Sequence, residues 1–572
     1  MQKSNRMNKK LFLFLAAISM VLVSAAQNHT APYQFQSAYH MLDSSELLVP
    51  RIPSKAFTQT SPPTGTVKAI AEFEPAQSVI ISYPGYFGIP YPLIALLSQN
   101  CNLITLVTSS SQQTTVANLY TTNGITTANC TYKICPLDSY WSRDYGPWFI
   151  MTNNNTIAVL DFPYNRTSRP NDDNVPVVMA SYLTEPLYGM NVMTTGGNFM
   201  CDGMSAAAMT TLVTDDNPTL TVAQIDTAFK QYMGITHNLI TDDPLGLYIK
   251  HIDCWGKFLD VDKILVASVP TSNAQYDQYE AMATYWQNTV SSYGNNFQVY
   301  RTYEPNAEPY SNSLILNKHV YVPIMNDSYD AAALAVYQNA MPGYTIHGII
   351  GLTGTDKWYD TDALHCRTHE VADTGYLYIK HYPLLGAKPV QLQYLISADI
   401  YALSGKAIVT DSVYVKYNIN HGLWIKIAMT HGTGNTWTAN IPQQPVGDTV
   451  CYYIHASDIS PRNQTHPLIG APDPHKFWII GTTDIADNKT QPNALVFPNP
   501  ANNNLFVELK NAEDKFTVKI VDLLGNEVKT ITENNAYTDL LRIPLSDLQS
   551  GTYFVQVLSG SYVTTKKIMV IH

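Results

Sequence analysis

The feature that most constrains the fold is a strand–helix–strand phrase that recurs between Val67 and Ile350. An apolar run, Val79-Ile80-Ile81-Ser82-Tyr83, passes through Pro-rich turns to a helical stretch over residues 93–99. It then reaches Leu103-Ile104-Thr105-Leu106-Val107. Ile264-Leu265-Val266-Ala267-Ser268 leads in the same way into an amphipathic stretch over 276–292 and on to Phe297-Gln298-Val299-Tyr300. Val320-Tyr321-Val322-Pro323 leads into 331–340 and then 344–350. Short apolar runs between turn residues predict strands, and the longer periodic stretches predict helices. Repeated units of this kind imply a radial or stacked arrangement rather than one wound sheet. Periodicity alone leaves the number of blades open.

The pattern changes after Pro389. Short alternating runs, over 391–397, 412–418, 424–428, 436–440 and 451–456, are spaced as in an all-β sandwich. A polar linker over 481–493 follows, and the last segment, from Ala494, is again β. It sets Leu505, Val507 and Leu509 on one face and Phe506 and Glu508 on the other.

The N-terminus predicts export. Lys3, Arg6, Lys9 and Lys10 precede an apolar run from Leu11 to Val23, and Ser24-Ala25-Ala26-Gln27 offers small residues for cleavage. This reads as a signal peptide over 1–26. This run of thirteen residues, apolar except for Ser19, falls short of the ~20 that span a bilayer, so no stable membrane span is expected. Residues 27 to about 60 lack clear periodicity, end in Ser61-Pro62-Pro63-Thr64-Gly65 and read as a leader, with the pro-segment over 27–55.

Charge excludes one class of partner. The chain has 34 Lys+Arg against 45 Asp+Glu, a net charge of −11, so no nucleic acid is expected. The seven cysteines are scattered and odd in number, which is not a disulfide framework, and no C-x-x-C pair is present.

Three polar phrases carry the candidate chemistry: Trp141-Ser142-Arg143-Asp144, His251-Ile252-Asp253-Cys254-Trp255-Gly256 and Asp362-Ala363-Leu364-His365-Cys366-Arg367-Thr368-His369. Functional side chains are commonly carried by loops, where these phrases are expected. On a strand, His251 and Asp253 would point to the same face. A His, two Asp and a Cys could equally form a satisfied polar cluster. Together they suit one reaction. Two carboxylates grip a planar guanidinium. A thiolate attacks its carbon, and the bound cation favours that thiolate. A His donates a proton to the leaving amine and later activates water. A cysteine protease built on Cys366 would leave both Asp without a role and lacks the flanking signatures. Cys254 and Cys201 read as small buried thiols. His365 and His369 read as structural histidines, because spacing supplies no third metal ligand.

Longer motifs carry a resemblance. They are Asp138-Ser139-Tyr140-Trp141-Ser142-Arg143-Asp144, Gly196-Gly197-Asn198, His251-Ile252-Asp253-Cys254-Trp255-Gly256-Lys257, Asn312-Ser313-Leu314-Ile315-Leu316-Asn317, and Gly354-Thr355 followed by residues 361–370. From about Ala56 onward the chain resembles the bacterial, Porphyromonas-type peptidylarginine deiminases. These form a branch of the guanidino-group-modifying superfamily that includes agmatine deiminases. The resemblance implies an α/β fold: a five-bladed pseudo-symmetric α/β propeller over 56–389, followed by an immunoglobulin-like β-sandwich over 390–482. It implies Cys366 as nucleophile, His251 as general acid/base, Asp144 and Asp253 as the guanidinium clamp, and Asn312 as a supporting polar residue. Trp141 would line the channel for the aliphatic stem. No metal and no cofactor are implied.

The last segment, 494–572, resembles the C-terminal sorting domain of type IX secretion, a small β-sandwich. It carries Phe497-Pro498-Asn499-Pro500, Asp522-Leu523-Leu524-Gly525, Gly551-Thr552-Tyr553-Phe554-Val555 and Lys566-Lys567. That resemblance implies export through the periplasm to the outer cell surface or medium, with the type IX machinery as partner. Removal of the leader between Lys55 and Ala56 is expected.

The leading expectation is therefore a secreted deiminase acting on arginine-containing peptides and proteins, through a covalent thiouronium. The alternatives are a deiminase of a small guanidine such as agmatine and a non-catalytic surface adhesin. Arg166 and Arg169 refine the substrate. Two arginines beside a guanidinium site have a reason if the substrate also carries an α-carboxylate, which favours peptides ending in arginine. The family's matching stretch has one residue between its two arginines, whereas Thr167 and Ser168 make two here. The plainer alternative pairs both arginines with Asp172 and Asp173 on a solvated loop.

Overall fold

The structure is a computed structural model. It describes His40 and residues 57–246, 249–351, 354–460, 462–481, 493–510, 516–523, 525–533, 540–559 and 562–572. The expected signal peptide, the leader other than His40, and the Lys55–Ala56 bond's flanking residues lie outside the described residues.

Between residues 67 and 372 the strands form five separate sheets, and one plan underlies all five. In each, a strand, a helix and a parallel strand make a βαβ unit. The units are Ala76–Tyr83, Tyr91–Asn100 and Asn102–Val107; Thr156–Asp161, Val175–Leu183 and Leu187–Gly189; Ala206–Thr210, Val222–Met233 and His237–Thr241; Lys263–Ser268, Tyr276–Asn288 and Gln298–Tyr303; and His319–Ile324, Asp330–Ala340 and Thr345–Ile350. An antiparallel strand flanks the first strand of each unit: His369–Ala372, Trp148–Thr152, Met200–Cys201, Gly256–Asp260 and Leu314–Leu316, in the same order. His369–Ala372, the last strand in sequence, thus returns to the sheet begun at Ala76.

Local chemistry explains these elements. Val79, Ile80 and Ile81 are all buried, as an unbroken apolar run must be in a strand covered on both faces. The helix Val222–Met233 starts at a capping box between Thr221 and Gln224 and stops at Gly234, whose φ of 73° suits a residue without Cβ. Its inward face carries Ile225, Phe229, Tyr232 and Met233. Each such side chain contributes about 1.5–3 kcal/mol on burial, far more than helix propensity supplies. The helix expected over 276–292 ends at Asn288, and the chain then folds back through a Val290–Asn296 bridge.

The following region packs two sheets around Ile396, Ile400, Val415, Trp437, Tyr452 and Phe477. Two of its strands, Leu377–Lys380 and Gly386–Pro389, precede the compositional change after Pro389. They belong there because they pair with Gln393–Ala402 and His475–Ile480. The C-terminal strands make two more sheets around Leu505, Val507, Val518, Ile520 and Val555. Among the described residues, no helix is long and apolar enough to cross a membrane.

Candidate active site

Each of the five sheets delivers one segment of the site, just ahead of its antiparallel strand. Asp144 lies in the one-turn helix Ser142–Tyr145, ahead of Trp148. Gly196–Asn198 precedes Met200. His251 and Asp253 precede Gly256. Asn312 precedes Leu314. Cys366 lies in the turn His365–Arg367, ahead of His369. The repeated plan therefore gathers residues far apart in sequence, and Asp144, His251, Asp253, Asn312 and Cys366 are all buried.

His251 and Asp253 lie in a loop ahead of the strand, so the two-residue period of a strand does not relate them. Ile252–Cys254 is a 3-10 turn, closed by the Cys254 N–H donating to the His251 carbonyl at 3.2 Å. It aims the Asp253 carboxylate at His365, whose Nδ1 lies 2.6 Å from Asp253 Oδ2.

Asn312 holds the Cys366 turn. Its Oδ1 accepts the His365 N–H at 3.0 Å, and its Nδ2 donates to Cys366 Sγ at 3.3 Å and to the Asp253 carbonyl at 3.2 Å. Cys366 Sγ lies 3.7 Å from Asp253 Oδ2. Burial, and then the charges of Asp253, Asp362 and Asp144, push the Cys366 thiol well up. Burial likewise pulls His251 down to about 4, against the pull of Asp144. Both groups are thus neutral here. A cation entering between the two aspartates would reverse the balance, because it removes the charge that opposes the thiolate.

Asp253 is itself braced. His365 Nε2 lies 2.8 Å from Glu72 Oε2, and Lys257 Nζ donates to that same oxygen at 2.7 Å. Burial opposes the charge of Glu72, but Lys257, His365 and Arg143 outweigh it and hold the carboxylate well below its usual range. Asp253 is lowered too, with its His365 hydrogen bond as the chief opposing force to burial. Both ring nitrogens of His365 therefore face carboxylate oxygens. His365, expected to be merely structural, is the link in a Glu72–His365–Asp253 chain, and an internal cavity lined by Glu72, Arg143, Asp253, Lys257 and Glu370 lies behind it.

Glycine has a steric reason at the second segment. A Cβ on Gly197 would stand 2.5 Å from His251 Nδ1 and 2.8 Å from Asp144 Oδ1, and one on Gly196 would strike the Arg143 carbonyl. These two positions let His251 approach Asp144, with Nδ1 to Oδ1 at 3.7 Å.

The remaining expected residues also converge. Trp141 is fully buried and packs with Tyr140 and Cys366. The guanidinium of Arg169 lies 4.7 Å from the Trp141 ring centre. Arg166 and Arg169 are buried, as are Asp172 and Asp173, so the loop that carries them is not solvated. Asp172 receives Ser139 Oγ at 2.6 Å and the Asp138 N–H at 2.8 Å, and Asp173 receives the Tyr164 N–H at 2.6 Å.

One residue from the leader stands inside the site. His40 is 3% exposed. Its Nε2 lies 2.6 Å from Asp144 Oδ2 and its Nδ1 2.5 Å from the Thr361 carbonyl. Its ring packs on Trp141 at 5.2 Å and edge-on to His251 at 5.1 Å. Asp144 is held well below the carboxylate range: burial opposes its charge, and His40, His251 and Arg166 overcome it. An unpaired buried ion costs several kcal/mol, so a pocket with this carboxylate demands a cation. Among the described residues, two groups have metal-ligand spacing, His40–Asp144–His251 and His40–Asp362–Cys366, and both depend on His40. Neither includes His365 or His369. Sequence reading missed Glu72, His365 as a brace, and His40. Only His365 had a signal, its place beside Cys366.

The repeated α/β units bring together a buried Cys, His, Asn and two Asp, and they match a family of deiminases, hydrolases that act on guanidino groups. Residues 68–371, more than half of the chain, match the Porphyromonas-type peptidyl-arginine deiminase family, and the chain belongs to it. Residues 495–571 match the secretion system C-terminal sorting domain, which implies handling by the type IX machinery and a secreted or cell-surface location. A protein of Yersinia pseudotuberculosis provisionally named agmatine deiminase is 23% identical over 287 residues, covering 43% of this chain and 77% of that protein. One of Vibrio parahaemolyticus with the same provisional name is 21% identical over 350 residues, covering 53% of this chain and 95% of that protein. The X-ray structure of another protein so named superposes with a TM-score of 0.50 at 17% identity, covering 55% of this chain and 99% of that chain, and shows the shared α/β fold.

Proposed function

We propose that the protein is an exported deiminase that converts arginine, above all arginine at the C-terminus of a peptide, to citrulline and ammonia. The observation that carries the reading is Cys366 Sγ 3.7 Å from Asp253 and held by Asn312, in a pocket whose other buried carboxylate, Asp144, requires a cation. The guanidinium settles between Asp144 and Asp253. Its charge lowers the thiol, and the Cys366 proton passes to His251. The thiolate adds to the guanidinium carbon. His251 returns the proton to one nitrogen, the C–N bond breaks, and ammonia leaves. The remaining thiouronium takes hydroxide from water whose proton goes to His251. The C–S bond breaks, the adduct's hydroxyl proton passes to the Cys366 sulfur, His251 gives its proton to solvent, and citrulline leaves with both side chains restored.

Arg166 and Arg169, buried beside Trp141, support a substrate with a carboxylate beyond the stem. The second reading, deimination of a free guanidine such as agmatine, is favoured by the names of the relatives. Five copies of one βαβ plan support a five-bladed propeller, and the two packed sheets after it an immunoglobulin-like sandwich. The reading includes a signal peptide over 1–26 and a leader over 27–55, cut before Ala56.

The test is a substrate panel: citrulline release from a peptide ending in arginine and from free arginine, and ammonia release from agmatine. Turnover confined to agmatine would select the second reading. Absence of turnover on all three would reject both.

A further inference from the structure

We propose that the leader is a built-in occupant of the substrate pocket, with the His40 imidazolium standing in the guanidinium subsite, so that the uncut chain is self-blocked.

The inference rests on the deiminase reading for the identity of the subsite, and on geometry for the block. A guanidinium is a planar cation whose N–H groups point outward in its plane. The His40 ring reproduces that in smaller form. Its two nitrogens face two acceptor oxygens, the Asp144 carboxylate and the Thr361 carbonyl, at 2.6 and 2.5 Å. Neither oxygen can donate, since a carbonyl never does and Asp144 is ionised, so both nitrogens carry protons and the ring is a cation. It lies on Trp141, against His251, and within 4.8 Å of the Cys366 sulfur. The imitation extends to the other end. The His40 main-chain carbonyl accepts from Arg166 Nη2 at 3.3 Å, at the arginine read above as a carboxylate holder. His40 thus takes the cation place and the acceptor place of the substrate together, and its ring offers the thiol no amidine carbon with a leaving nitrogen.

The tether explains how one residue can suffice. A group on the same chain meets its site at an effective concentration near the millimolar range, which external substrate must outcompete. Cutting the chain between residue 40 and the catalytic domain turns this into an ordinary bimolecular contact that dilution abolishes. The expected cut between Lys55 and Ala56 is such a cut.

The test compares the uncut wild-type chain with uncut His40→Ala and His40→Gln. The first readout is the rate at which Cys366 is alkylated by 2-chloroacetamidine, a small amidinium cation whose chloride the sulfur displaces, followed by mass spectrometry. The second is KM and kcat on a peptide ending in arginine. The block predicts at least tenfold faster alkylation in both variants, and a KM at least tenfold lower with kcat nearly unchanged. Matched alkylation rates and matched KM values in wild type and both variants would overturn it. If no form turns over a guanidine but the alkylation gap persists, the deiminase reading fails and the block stands. If all forms turn over alike and are alkylated alike, the block fails and the deiminase reading stands. Melting temperatures confirm that the variants are folded.

Discussion

Asp253 Oδ2 and His365 Nδ1 lie 2.6 Å apart, and this contact makes the residue next to the nucleophile the holder of a proposed guanidinium clamp. The charge-assisted bond to a second, ionised carboxylate, Glu72, fixes the ring on its other side. Bonds of this kind contribute about 1.5–3 kcal/mol each. His365→Ala should therefore cut kcat/KM by roughly ten- to a hundredfold, at about tenfold per 1.4 kcal/mol. Because Asp253 is proposed to position the cation, most of the loss should be in KM. His365→Gln, which keeps one donor, should recover part of it. Steady-state kinetics on the three forms check this, and an unchanged KM in His365→Ala would remove His365 from the clamp.

Arg169 stacks on Trp141 with its guanidinium 4.7 Å from the ring centre, beside the buried Arg166. A carboxylate at the far end of the substrate would meet a cation there, whereas an amide would not. A peptide ending in arginine should be used at least tenfold better than its C-terminal amide, and Arg169→Ala should lose activity on the acid alone. Rates on the two peptides decide the matter, and equal rates in the wild type would reject the carboxylate contact.

The leader's hold should depend on pH. Burial works against the charge of docked His40, but Asp144, then Asp362 and the Thr361 carbonyl, outweigh it and raise the group above its ordinary value of 6.5. His251 and Arg166 face it with opposing or no charge, and the Cys366 thiol is neutral. A group raised on docking favours the docked state fully below the undocked value, and that contribution is lost as pH rises through the docked value. The ratio of uncut His40→Ala to uncut wild-type alkylation rate should therefore be largest below about pH 6.5 and fall at alkaline pH. A ratio flat from pH 5 to 10 would contradict the imidazolium.

Much of this site was legible before the fold was known, for a physical reason. Asp144, His251, Asp253, Asn312 and Cys366 sit in short turns just ahead of four strands, and each turn needs particular local residues to hold its shape. Gly196 and Gly197 are an example: a Cβ on either would strike the Arg143 carbonyl or His251, so the motif shows in the sequence. The loop around His251 and Asp253 was legible, but how it aims them was not, because the segment coils into a 3-10 turn. Glu72 was invisible because its partner is His365, brought to it by packing across the domain, and nothing near residue 72 announces the pair. His40 was invisible for the same reason, since its partners are Asp144 and Thr361. The strands Leu377–Lys380 and Gly386–Pro389 were missed because they precede the change in composition that marks the sandwich.

The central claim is that Cys366 forms the covalent bond to the guanidinium carbon. The most direct measurement is citrulline release from a peptide ending in arginine, comparing His40→Ala with His40→Ala/Cys366→Ala, so that the leader does not mask turnover. The account predicts steady citrulline release by the first and none above background by the second, at nearly equal melting temperatures. Citrulline release by the double variant above background would contradict it.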